Sequence, residues 1–245
     1  MSMRRFALPA LLAASALAAL PSAGCSQETG ADRAFGEKVK AYLMHHPEVI
    51  EEAMNQLQAQ RDASAAREAH VALGANRKLI ERDPDDFVAN PNGKVTVVEF
   101  FDYKCTYCKA SSQAVLDIIA KNPDVRFVFK EMPILTDTSS HASEAQLSAN
   151  RSNGKYLNVF GALMAAKALD DDGVKRIMSE NGVDLARIDP KAKEAADKHI
   201  AENKALAKSI GVEGTPAFVV GDHMIAGWVP EELQAGIDEG RRHGS

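Results

Sequence analysis

The chain has 245 residues, 45% of them hydrophobic and 26% charged, the ordinary proportions of a folded globular protein. A formal net charge of −5 leaves no basic footprint, so no nucleic-acid partner is expected. Without its leader the chain retains about 220 residues, enough for one large domain or one domain with appendages.

Met1-Ser2-Met3-Arg4-Arg5, an Ala/Leu-rich run from Phe6 to Leu20 and the small-residue patch Pro21-Ser22-Ala23-Gly24 read as an export signal over 1–25. The apolar run is about 15 residues, against the roughly 20 that a membrane-spanning helix needs, which favours a leader over a permanent span. Arg4-Arg5 raises twin-arginine export, although the flanking residues fit that pattern poorly. Cys25 after Ala23-Gly24 resembles a lipid-anchor site, with Ser22 standing where Leu is usual, so lipidation is the minority option.

From Asp32 to Ile80 the composition is helical, with Pro47 placed to open a helix at its first turn. Leu43, Ile50 and Leu57 lie seven apart, and the register then meets Ser64 and Val71. So thin an apolar stripe cannot stabilise a lone helix in water. It packs either on its own globular domain or on copies of itself, and spacing does not choose between them. Asp83-Pro84-Asp85-Asp86 and Asn90-Pro91-Asn92-Gly93 are turn-rich and lead into a strand from Lys94 to Phe101. A helix follows from Cys108 to Lys121, then a break at Asn122-Pro123 and a second strand from Val125 to Phe129, together a βαβ unit. Residues 138–210 are helical again, with Tyr156, Leu157, Phe160, Leu163 and Met164 on one face and Ala195, Ala196, His199, Ile200 and Asn203 on another. Ala217–Val220 and His223–Ala226 form a hairpin over Gly221-Asp222, and Pro230 starts a last helix through Ile237.

Cys105-Thr106-Tyr107-Cys108 stands where the first strand hands over to a helix N-terminus. Unpaired N–H groups and the positive end of the helix dipole favour a thiolate there, lowering the pKa of the first cysteine and making it a nucleophile. Zinc needs further Cys or His ligands at close spacing, and the third cysteine, Cys25, is far upstream. A c-type haem needs His after the second cysteine, where this chain has Lys109. A structural disulfide across two residues closes a very short loop for little entropic gain. Redox exchange in an exported protein is the reading that remains. His45, His46, His70, His141, His199, His223 and His243 show no metal-ligand spacing, so no metal and no cofactor are expected. Lys104 and Lys109 flank the dithiol and are candidates for supporting the thiolate.

Three matches in the right order, Glu99 to Cys108, Lys130-Glu131-Met132-Pro133-Ile134-Leu135 and Gly211-Val212-Glu213-Gly214-Thr215-Pro216, make the chain resemble the DsbA-like branch of thioredoxin-fold thiol-disulfide oxidoreductases. The resemblance implies an α/β thioredoxin fold over 94–245 with a helical insertion at 138–210. The extension over 32–80 resembles the ScsC group, which implies an N-terminal helical trimerising stalk, a periplasmic location, a disulfide isomerase acting on misfolded client proteins, and a membrane reductase of the ScsB type. It also implies that Cys105 is the exposed attacking thiol and Cys108 the buried resolving one. Glu99, in an otherwise apolar strand and on the face of Val95, Val97 and Phe101, is the candidate proton shuttle for Cys108, its carboxyl desolvated and its pKa raised. Thr215-Pro216 is the candidate cis bond, turning the Thr215 backbone toward Cys105 to pair with a client strand, with Thr106 and Tyr107 completing the client-binding residues. The Thr-Tyr pair lacks the His of strongly oxidising members and predicts a milder oxidant. Two readings compete with the isomerase: a dithiol oxidase, and a Cu(I)-binding protein using the two thiolates as soft ligands.

Overall fold

The computed structural model describes residues 30–150 and 154–243; the export signal and Cys25 lie outside them. The chain divides into two compact units, residues 1–60 and 61–245. In the first, α1 (Gly30–His45) ends just before Pro47, and α2 (Glu48–Glu81) begins directly after it. Pro47 lacks the N–H an interior helical position would need, so the break falls there. No residue from 31 to 60 is buried, and Phe35, Tyr42, Met44, Ile50 and Met54 are exposed. The helical stretch expected over 32–80 therefore divides: from Arg61 onward α2 belongs to the second unit, where Leu73 and Ile80 are buried.

The second unit is built on a five-stranded sheet of order β1-β3-β2-β4-β5, with β1 Phe87–Ala89, β2 Val95–Phe101, β3 Val125–Glu131, β4 Ala217–Val220 and β5 His223–Ala226. β2 and β3 run parallel, joined by α3 (Thr106–Lys121), and every other pairing is antiparallel. The expected βαβ unit, hairpin and last helix α8 (Pro230–His243) are present. β1 is an addition to the expected order. Its three residues sit between the Asp- and Asn-rich turns that marked the region as a connection, and they become a strand by pairing with Phe127–Phe129. Gly93, just before β2, is required by close approach: a Cβ there would lie 2.3 Å from the Arg126 nitrogen and 2.6 Å from the Val125 carbonyl carbon.

β2 and β3 are buried along their whole length, so alternation divides their side chains between two cores. Val95, Val97 and Phe101 face one core with Phe127, Phe129, Phe160, Leu233, Ile237 and both cysteines. Val98, Phe100 and Val128 face the other with Leu73, Ile80, Leu206 and Ile210. The helical insertion consists of α4 (Asp137–Asn150), α5 (Tyr156–Ala165), α6 (Asp171–Glu180), a 3-10 turn at Leu185–Arg187 and α7 (Pro190–Ser209). Tyr156, Phe160, Leu163 and Met164 of α5 all enter the dithiol-side core, as their spacing predicted. No described helix is long and apolar enough to cross a membrane.

Candidate active site

Strand β2 ends at Phe101, and four residues later Cys105 caps α3 with extended backbone, φ −68° and ψ 122°. Its sulfur accepts the Cys108 N–H at 3.4 Å, satisfying one of the orphan donors of the first turn. Hydrogen bonds from the Cys108 thiol, the Thr215 side chain and the N–H groups of Cys108 and Tyr107 outweigh desolvation and bring Cys105 down to about 5. Both cysteines are free thiols. Cys105 keeps 7% of its surface and Cys108 none, so Cys105 is much less open than the exposed thiol the resemblance implied. The cause is its neighbour. The Thr215–Pro216 bond is cis, and the Thr215 carbonyl lies 3.1 Å from the Cys105 sulfur, where it accepts from the thiol. That carbonyl favours the protonated form, but the donors around the sulfur outnumber it and the thiolate prevails.

Cys108 is held the opposite way. Burial pushes its thiol far up, followed by its hydrogen bond to Cys105 and the Glu99 charge. Glu99 is fully buried in the middle of β2, and neither of its oxygens has a protein partner. Desolvation, then the charges of Cys105 and Glu131, raise its pKa. A strand-edge Glu reaching water is thereby ruled out, and Glu99 is placed electrostatically against both sulfurs. Thr106 and Tyr107 lie exposed on the first turn of α3, Tyr107 at 69%.

The flanking lysines do something other than support the thiolate. Lys104 Nζ donates to the Leu169 carbonyl at 2.6 Å, and Lys109 Nζ to the carbonyls of Leu163, Met164 and Ala166 at the end of α5. Lys109 complements the dipole at the C-terminus of α5, Lys104 bonds the loop that follows it, and both tie the insertion to the site. Asp102, which spacing did not single out, is a buried hub accepting from the Lys104, Ile134 and Leu135 N–H groups and the Ser139 hydroxyl. It holds the exposed side chains of Ile134 and Leu135 on a loop tied to the start of the dithiol turn. Glu131 was also missed as a site residue; only its place in the Lys130–Leu135 motif marked it. Far along the chain, His199 is buried and bonds Asp86 at 2.9 Å. Ligand atoms of His199, Asp83 and Asp85 lie within 4.8 Å of one another, but Lys130 Nζ, 3.8 Å from Asp83 and 2.7 Å from Asp86, already supplies a cation there.

The family description "DSBA-like thioredoxin domain" matches residues 96–236, more than half of the chain and all of this site except the N-terminal strand residue Val95. The chain belongs to the DsbA-like thioredoxin-domain family. Residues 33–63 match a second description, "Copper resistance protein ScsC N-terminal domain". A thioredoxin-like oxidoreductase from Silicibacter pomeroyi is 40% identical, covers 68% of this chain and 98% of its own, and superposes with a TM-score of 0.64. Proteus mirabilis ScsC in a transitional conformation is 27% identical over 87% of this chain and 98% of its own, with a TM-score of 0.66. Among curated proteins, the Na(+)/H(+) antiporter NhaA 3 of Salinispora tropica is 32% identical over 168 residues, 63% of this chain but 25% of the antiporter. The chain thus spans about a quarter of the length of that relative.

The low Cys105 pKa carries a direct expectation for this DsbA-like site. The rate of iodoacetamide alkylation of the reduced protein reaches half its plateau near pH 5, because only the thiolate reacts. A half-maximum near the free-thiol value of about 8.5 contradicts the arrangement described above.

Proposed function

We propose that the protein is an exported, periplasmic disulfide isomerase that exchanges disulfides in client proteins and works as a homotrimer re-reduced by a membrane reductase of the ScsB type. The observation that carries the reading is geometric: Cys105 caps α3 with its sulfur accepting the Cys108 N–H and facing the cis Thr215–Pro216 bond, while Cys108 is wholly buried behind it. Cys105 thiolate attacks one sulfur of a client disulfide. A Cys105–client bond forms, and the other client sulfur leaves as a thiolate. In isomerisation a different client thiolate attacks the mixed disulfide, returning Cys105 as thiolate with no net redox change. In the escape route the Cys108 thiol gives its proton to Glu99 and attacks Cys105. The client leaves reduced and the Cys105–Cys108 disulfide forms, which is why an external reductant is needed.

Formation of the mixed disulfide itself prepares that escape. Cys105 loses its charge, which removes one cause of the raised Glu99 pKa, and its hydrogen bond no longer burdens Cys108 in the same way. A larger share of Glu99 is then ionised and free to accept a proton, and Cys108 gives one up more readily. Thr215 and Pro216 beside the sulfur, with Thr106 and Tyr107 on the exposed turn, form the client-binding edge. The Thr215 N–H has no backbone bond within the β4 ladder, and an extended client segment fits that edge by strand addition.

The trimer is supported by residues 32–60, along which Phe35, Tyr42, Met44, Ile50, Met54 and Leu57 are exposed. A second reading, dithiol oxidase, has its own support: a Cys105 held near 5 stabilises the reduced form even without a His between the cysteines, which makes the disulfide more oxidising than the Thr-Tyr pair suggested. Two assays test the proposal together. Deleting residues 32–60 is expected to lower the sedimenting species from trimer to monomer and to abolish reactivation of scrambled ribonuclease, while oxidation of reduced ribonuclease persists. An unchanged oligomer, or full isomerase activity in the deletion, overturns it. Dithiol oxidation without any reactivation by the full chain selects the oxidase. Tight Cu(I) binding with no exchange at all selects the metal reading.

A further inference from the structure

Glu131 ends β3 on the same face as Glu99. In the parallel register Glu99 lies opposite Phe129 and Phe101 opposite Glu131, so the two carboxyls are diagonal neighbours pointing into the dithiol-side core. Both are fully buried, but their surroundings differ. Glu131 accepts from Tyr156 Oη at 2.7 Å, Ser143 Oγ at 2.7 Å and Tyr103 Oη at 3.0 Å. Glu99 accepts from no protein group. Burial raises both carboxyls, but three donors stabilise the ionised form of Glu131 and none that of Glu99, so when the pair loses its first proton the charge settles on Glu131. The second proton, on Glu99, must then leave against a like charge in a desolvated core.

We propose that Glu131 is a positioning residue: held by Tyr103, Tyr156 and Ser143, it ionises before Glu99, keeps the proton on Glu99 and so sets the pH at which Cys108 releases a captured client. The inference rests on the exchange reading and on Glu99 as its proton acceptor. The titratable and charged groups that face the pair are few. Asp102 and Tyr103 come from the loop before Cys105, Tyr156 from α5, and Cys105 and Cys108 from α3; Lys109 of α3 faces Asp102 and Cys108. Burial and the neighbouring carboxylate keep both tyrosines as neutral donors, so neither competes with Glu131 for the charge. Ser143 ties the arrangement to α4 and Tyr156 ties it to α5, which gives the helical insertion a direct hold on the proton balance of the dithiol.

The test follows a single turnover of the reduced full chain with a fluorescent peptide disulfide, in which a first phase reports attack by Cys105 and a second reports release by Cys108. In Glu131→Gln the attack phase keeps its pH dependence, while the rising limb of the release phase moves to lower pH by about one unit, roughly tenfold in rate at a fixed pH below the midpoint. Tyr156→Phe weakens the hold on the Glu131 charge and moves the limb the same way by less. In a Glu99→Gln background, Glu131→Gln moves nothing further. A release limb that stays in place in both Glu131→Gln and Tyr156→Phe, with circular dichroism showing either one folded, overturns the inference. A residue that only filled space would change the rates without displacing the limb. No attack phase in the parent protein overturns the exchange reading itself, a different outcome from an unmoved limb.

Discussion

Cys105→Ser is expected to abolish disulfide exchange entirely, whereas Cys108→Ser is expected still to attack clients and to accumulate them as mixed disulfides. The difference comes from the division of labour between the sulfurs. Cys105 alone carries a thiolate at neutral pH, and a serine hydroxyl in the same cap position has neither the acidity nor the sulfur chemistry to replace it. Cys108 acts from a few atoms away on a sulfur already positioned in the same turn, so its removal replaces an intramolecular step with attack by thiols from solution. Effective molarities for such well-oriented steps imply that release slows by at least ~10³-fold at millimolar external thiol. Non-reducing gels of Cys108→Ser, expressed with its natural clients and quenched with acid, are the measurement. Adducts that disappear on reduction are expected, and the same gel for Cys105→Ser is expected to be blank. Adducts formed equally by both variants would show that the roles of the two sulfurs are reversed or shared.

The largest effect on stability is expected far from the dithiol, at Lys130. Its side chain is wholly buried on the opposite face of β3 and its Nζ donates to the Leu79 carbonyl at 2.7 Å near the end of α2. Nζ also lies 2.7 Å from Asp86 Oδ2, a buried ion pair. Asp86 shares its other oxygen with His199. Burial outweighs these partners and raises the Asp86 pKa, so the pair as a whole adds little stability. Removing one member is different. Lys130→Ala strands a buried carboxylate and an α2 carbonyl and is expected to cost about 3–5 kcal/mol, read as a lowered urea midpoint. The double variant Asp86→Asn/Lys130→Met, which removes both charges and keeps the volume, is expected to recover most of that loss. A single variant within about 1 kcal/mol of the parent would mean that water reaches Lys130 in solution.

These two sites show how far local pattern carries. Glu99 was legible because period-2 alternation along one strand places it among Val95, Val97 and Phe101, and a carboxyl on an apolar face must be desolvated. Lys130 and Glu131 lie side by side in an equally readable strand, yet alternation sends one to the α2 face and the other to the dithiol face. What each meets there depends on α2, α4 and α5, which are remote in sequence. The flanking lysines show the same limit. Proximity to Cys105 and Cys108 in the chain suggested a thiolate partner, but the carbonyls at the end of α5 take the Lys109 charge and the Leu169 carbonyl, ahead of α6, takes that of Lys104.

From residue order alone came the dithiol at the junction of strand and helix, the buried carboxyl of β2 and the helical character of the insertion, whereas the Thr-Pro step came from the family resemblance. Each of the first three depends on neighbours within one or two turns of chain, where backbone geometry leaves few choices. Only the tertiary structure brought Thr215 to 3.1 Å from Cys105, made Phe87–Ala89 a strand and gave Glu131 its three donors. Those arrangements join residues from 12 to 110 positions apart. Their partners are selected by packing and by the need to satisfy every buried polar group, and neither requirement is written in any single stretch of sequence.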